Sequence, residues 1–306
     1  MIRKITLAIF LGFLFSVRLI SQVLTGSGTE AFDIIFRHDF SNNTPGSYKK
    51  NEWSEDWNKP NWANQTLGYG DIIEDGSNKY LQETFPPGTF LLKGSGTQWH
   101  ARFSKGYEEL YLSYRIKFSS GFINTDLRGK LPGLSGGKSN NGGYMPNGSD
   151  GWSARFIFHG TNIRFYIYHP DLYKLFGDAF PVEGKKYYGT GPELQPGYTL
   201  KPEVWYTITQ RVVLNTPGEN DGLVEGFING RLCARQTGIR FRDTASLMID
   251  RLFFSNFLGG DGKPTARNEF ISFDDFFVFT YQPWVDIARY HALNRSGTIL
   301  QLPGGN

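Results

Sequence analysis

Lys130 opens the glycine-rich run GKLPGLSGG (Gly129–Gly137), and two short alternating segments follow it. The first, GWSARFIFH, carries Ser153 and Arg155 two residues apart; the second, NIRFYIY, carries Arg164, Tyr166 and Tyr168 at the same spacing. Alternate side chains of an extended strand share one face. If the segments pair, a lysine, a serine, two arginines and two tyrosines gather on one surface. Such cations suit an anionic substrate. A tyrosine, with an ordinary pKa of about 10, can move protons once nearby positive charge lowers it. The stretch from Arg128 to Lys186 holds eight bases against four acids, so the gathering sits in locally positive sequence. The plain alternative is that Arg155 and the tyrosines decorate a solvated strand face.

Register decides whether the groups meet. His159-Gly160-Thr161-Asn162 reads as the turn. A loop of two or four residues pairs Phe158 with Ile163, Arg155 with Tyr166 and Ser153 with Tyr168. Trp152, Ala154, Phe156, Phe158, Ile163, Phe165 and Ile167 then form a continuous apolar face. An odd loop would turn every side chain to the wrong side.

Elements elsewhere fit a scaffold of strands. Leu110–Phe118 and Val204–Leu214 alternate, Leu223–Ile228 and Arg231–Gln236 flank the hairpin signal Asn229-Gly230, and Leu247–Phe257 and Phe270–Tyr281 are rich in aromatics. Strands and turns without long helical periodicity predict an all-β sandwich. The one helix expected is short, over Trp284–Leu293. Trp53, Trp57 and Trp62 lie in a polar, turn-rich region that reads as a loop over one end of the sandwich, where anchoring in the core or of the loop is favoured over stacking on a sugar.

The 306 residues read as a signal peptide over 1–22 followed by a single domain over 23–306. Arg3 and Lys4 precede an apolar run from Ile5 to Val17, and Arg18 ends it too soon for a spanning helix. Export to the periplasm or medium is therefore expected, with no membrane span after cleavage. The leader holds three of the 32 bases and none of the 29 acids, so the mature chain is balanced and a nucleic-acid partner gains no support. The lone Cys233 can form no internal disulfide, leaving the core to hold an exported fold. Sequons stand at Asn42, Asn64, Asn147 and Asn294.

Several chemistries lack their residues. The five histidines show no metal-binding spacing. Asp274 and Asp275 are adjacent and are expected on opposite faces of a strand, so they make no acid–base couple. No E-x-D-x-x-E pattern supplies the carboxylate pair of a sandwich glycosidase. β-Elimination at a uronic acid needs neither metal nor carboxylate pair. It needs a cation on the carboxylate, a base for the C5 proton and an acid for the leaving oxygen.

At these residues the chain resembles polysaccharide lyase family 14, which includes alginate lyases. The resemblance rests on GKLPGLSGG, the S-x-R and Y-x-Y strands, FFSNFLGG (Phe253–Gly260), FPPGTFLLKGSGTQW (Phe85–Trp99) and FISFDDFFVF (Phe270–Phe279). It implies a β-jelly roll of two antiparallel sheets with a substrate cleft across its concave sheet, and metal-independent cleavage with no cofactor. It implies an anionic polysaccharide partner and catalytic roles for Lys130, Ser153, Arg155, Tyr166 and Tyr168. Gln98, His100 and Arg164 fall among the substrate-binding candidates. FHGTN (Phe158–Asn162) replaces the W-R element the family carries after its arginine. Alginate leads as substrate and glucuronan is its rival. A non-catalytic carbohydrate-binding sandwich and a glycoside hydrolase remain alternatives of other classes.

Overall fold

The computed structural model describes residues 33–280 apart from 66, 124, 173–187, 190, 197–198 and 261. Residues Ile34–Thr280 form one compact unit. The expected leader and the helix expected over 284–293 lie outside the described residues. In chain order the strands are β1 (Ile34–His38), β2 (Gly46–Ser47), β3 (Ala63–Gln65), β4 (Asp71–Asp75), β5 (Asn78–Phe85), β6 (Thr97–Tyr107), β7 (Glu109–Phe118) and β8 (Arg128–Gly137). They continue as β9 (Gly151–His159), β10 (Asn162–Tyr168), β11 (Tyr206–Val213), β12 (Gly222–Ile228), β13 (Arg231–Ile239), β14 (Ile249–Leu258) and β15 (Glu269–Phe279).

Two antiparallel sheets result, as the alternation predicts. One runs β13-β12-β11-β7-β15-β5-β4-β2 with β1 also on β15; the other runs β10-β9-β8-β14-β6-β3. Their facing sides make the core. Leu110, Leu112, Tyr114, Ile116 and Phe118 of β7 all point inward, and Trp99 of β6 stacks on Phe254 of β14 at 4.0 Å and 5°. Asn229-Gly230 closes the β12–β13 hairpin with both residues at positive φ, 50° and 79°, the backbone that a two-residue turn demands.

Two expectations fail locally. The tryptophan-rich segment is a helix, α1 (Lys50–Asp56), short and without a side-chain cap at its start. Trp53 within it and Trp57 at its C-terminal cap are both buried and join the core, so core anchoring holds for these two. Trp62 lies beyond and is exposed. The second failure is at Asp274-Asp275. The pairing of β15 with β7 shifts between Asp274 and Phe277, and Asp275 has a φ of 51°. This bulge cancels the alternation, so both carboxylates approach Arg115, at 3.4 and 3.7 Å. Burial first, and the charge of Asp275 next, push the Asp274 carboxyl up to about 7. No described helix is long and apolar enough to cross a membrane.

Candidate active site

The expected hairpin register holds residue for residue. Asn162 pairs with His159, enclosing Gly160-Thr161, with Gly160 at a φ of 57°. Tyr166 pairs with Arg155 and Tyr168 with Ser153. Phe156, Phe158, Ile163, Phe165 and Ile167 belong to the core between the sheets. The polar set therefore lies on the outer face of the six-stranded sheet.

Neighbouring strands extend the pairing into rows across that face. The row of Tyr166 and Arg155 continues through Gly133 of β8 to Phe253 and His100. Tyr168, Ser153, Ser135, Arg251 and Arg102 are successive partners in the next row. Arg164, Ile157, Lys130 and Phe257 make the row on the other side. None of these positions holds a carboxylate.

The P-G of GKLPGLSGG shapes the centre. The β8–β9 pairing shifts between Leu131 and Leu134, so Pro132 and Gly133 both stand opposite Arg155. A proline gives no N–H to a ladder and is accommodated in a central strand at such a bulge. Phe253 sits on β14, beyond β8, yet the Arg155 guanidinium lies 4.4 Å over its ring. The arginine thus crosses β8 where the strand presents a glycine. Arg155 Nη1 donates to Ser255 Oγ at 3.0 Å, and Ser255 Oγ donates to Gln98 Oε1 at 3.2 Å. Among the described residues the buried Arg155 Nε has no hydrogen-bond partner. Burial pulls the guanidinium pKa down from its usual value, though an arginine stays charged.

The two tyrosines meet at their hydroxyls, 3.0 Å apart. Tyr168 Oη also accepts the Gly143 N–H at 3.1 Å. Ser153 Oγ donates to the Asn140 carbonyl at 2.6 Å, so it secures the loop that carries Gly143. Lys130 Nζ stands 4.0 Å over the Tyr166 ring, and Arg155 5.4 Å from it. Positive charge nearby lowers a tyrosine pKa. In the structure burial dominates: the Tyr166 phenol is pushed well above its usual value, Tyr168 adds to the rise, and Arg155 offsets it only in part.

The remaining candidates separate. Gln98 joins the centre through Ser255. His100 lies in the same row, but burial and the charges of Arg251, Arg155 and Arg102 push its pKa down to about 3. It is a neutral ring at working pH and brings no charge to a carboxylate. Arg164 turns its Nε and Nη2 to the Gly191 carbonyl, at 3.2 and 3.1 Å. Ser255, Phe253 and the Gly143 amide are not among the sequence candidates; the F-x-S alternation of Phe253 and Ser255 in FFSNFLGG is the signal for two of them. Gly133–Gly137 also fits the G-x-S-x-G spacing, yet its Ser135 is buried in mid-strand and bonds Ser139 Oγ at 2.9 Å, with no strand-to-helix elbow.

An outer sheet face that joins cations to paired phenols, with no carboxylate in its rows, lacks the carboxylate couple of a sandwich glycosidase. The family model Polysaccharide lyase 14 matches residues 74–276, so the chain belongs to that family and is a polysaccharide lyase. No curated protein matches it in sequence. Among solved structures it is similar to the alginate lyase Aly36B, at 21% identity and a TM-score of 0.64 over 79% of this chain and 95% of that one. It is likewise similar to the marine PL-14 alginate lyase from Aplysia kurodai, at 21% and 0.63 over 80% and 98%. The endo-beta-1,4-glucuronan lyase from the fungus Trichoderma reesei follows, at 13% and 0.50 over 83% and 98%. At these identities the likeness to each is one of fold.

Proposed function

We propose that this lyase cleaves 4-linked uronans, alginate before glucuronan, by β-elimination, and that it is exported to reach them. Arg155 carries the reading. It is a buried guanidinium, 2% exposed, whose partners among the described residues are a serine hydroxyl and two ring faces rather than a carboxylate. A buried charge without a counter-charge costs on the order of several kcal/mol. A uronate carboxylate at Arg155 and Lys130 would bring a counter-charge to the guanidinium and acidify the adjacent C5–H. Alginate leads because the two alginate lyases are nearer in fold than the glucuronan lyase, and Aly36B variants have been solved with an alginate trisaccharide and tetrasaccharide.

The step divides as follows. A phenolate of the Tyr166–Tyr168 pair takes the C5 proton. The electron pair moves into the C5-carboxylate system, held by Lys130 and Arg155. It then forms the C4–C5 double bond as the C4–O bond breaks, and a tyrosine hydroxyl protonates the departing oxygen. In mannuronate the C5 proton and the leaving oxygen are on one side of the ring, so two linked hydroxyls can serve both transfers. Ser153 positions Tyr168 through the Asn140–Gly143 loop. Incubation with alginate and with glucuronan, followed by ultraviolet absorbance of unsaturated uronate ends, tests the reading. Absorbance should grow with alginate. Reducing ends released without the chromophore would mean hydrolysis, and binding without either would mean a lectin.

A further inference from the structure

At its β6 end the outer face carries groups that the reacting centre does not use. Trp62, just before β3, is 39% exposed and lays its ring over His100, with centroids 4.6 Å apart and planes at 31°. It meets Phe253 edge-on at 6.0 Å, and Phe253 carries the Arg155 guanidinium on its face. A chain of aromatic rings thus leads from the buried arginine to an exposed indole. Arg102 follows His100 by two residues on the same side of β6, is exposed, and has no ion pair among the described residues. Its row neighbour Arg251 is matched by Asp250, Nε to Oδ1 at 2.6 Å and Nη2 to Oδ2 at 2.7 Å.

We propose that Trp62 and Arg102 form a remote subsite for a further uronate unit of the same polymer. The indole stacks on the pyranose face and the Arg102 guanidinium pairs with that unit's carboxylate. The neutral His100 ring backs the indole without adding charge. This inference rests on the uronan reading above. Three strand spacings, roughly 14 Å, separate β9 from β6, a few pyranose lengths. The polymer therefore lies across the strands, and contact at Trp62 is open only to substrates long enough to reach it.

The test compares wild type with Trp62→Ala and Arg102→Gln on saturated oligomannuronates of three and six units. The six-unit to three-unit ratio of kcat/KM should fall about tenfold in each variant, the scale of one stacked or charged contact. An unchanged ratio with intact turnover would overturn the subsite. If wild type eliminates no uronan at all, the reading of the reaction fails separately. Tryptophan fluorescence titrated with the hexasaccharide then decides the subsite alone: quenching in wild type that disappears in Trp62→Phe supports it, and no quenching overturns it.

Discussion

Gly133 and Arg155 are so close that a β-carbon on the glycine would stand 2.5 Å from the arginine Cα and 2.1 Å from the Ala154 carbonyl oxygen. Both obstacles are backbone, so no rotamer change relieves them. Gly133→Ala should push β8 from β9 and move the guanidinium off Phe253. We expect a loss of about 1–3 kcal/mol of stability with a larger proportional loss of elimination rate, read by thermal melts and the ultraviolet assay. Wild-type turnover in this variant would show that the close approach has no catalytic meaning.

Arg155→Met removes a buried charge that has no carboxylate partner among the described residues and keeps much of the packing against Phe253. The fold should be as stable as wild type or more so, while elimination is lost. A wild-type melting temperature that rises with added oligouronate, beside a variant one that does not, would tie the effect to the substrate carboxylate. A marked drop in the melting temperature of the variant would count against an arginine held for function at the expense of stability.

Lys130 stands over the Tyr166 ring on the same outer face. Lys130→Ala should lower turnover at least about a hundredfold, as for loss of one key electrostatic group, with little change in circular dichroism or melting. Near-normal activity would remove the lysine from the mechanism.

Burial raises the Tyr166 phenol above its ordinary pKa, and a base acts only after losing its proton. The rate should therefore climb from neutral into alkaline pH, with an apparent pKa that belongs to the hydroxyl pair. Tyr166→Phe and Tyr168→Phe each remove one hydroxyl and keep the ring; at least one should abolish product while substrate binding persists. A rate that peaks in acid would point to another base. His100 is a poor replacement, since its pKa near 3 leaves it unprotonated and weakly basic throughout the working range.

Legibility in the sequence followed the range over which a local rule acts. The Ser153/Arg155–Tyr166/Tyr168 pairing could be read because a two-residue turn fixes register and strand period sorts the faces. Ser255 could not: it meets Arg155 from a strand a hundred residues later, and no local pattern states which strand lies beyond β8. Asp274-Asp275 misled because alternation holds only until a strand bulges. Helix α1 escaped because seven residues without a cap give little periodicity, and its tryptophans are held by the core rather than by helix propensity. The charges around Tyr166 are visible in sequence, whereas the burial that outweighs them is a property of the folded whole.

Asn64, the acceptor of one sequon, is exposed on β3, where it pairs with Gln98 two residues beyond Trp62. A production host that attaches N-glycans would plant a branched sugar beside the indole, at the edge where the polymer enters. Protein from such a host should then act poorly on long chains, and enzymatic deglycosylation or Asn64→Gln should restore it. The choice of expression system would thus set the measured chain-length preference, and preparations from glycosylating and non-glycosylating cells should not be compared until mass spectrometry has shown whether Asn64 is bare.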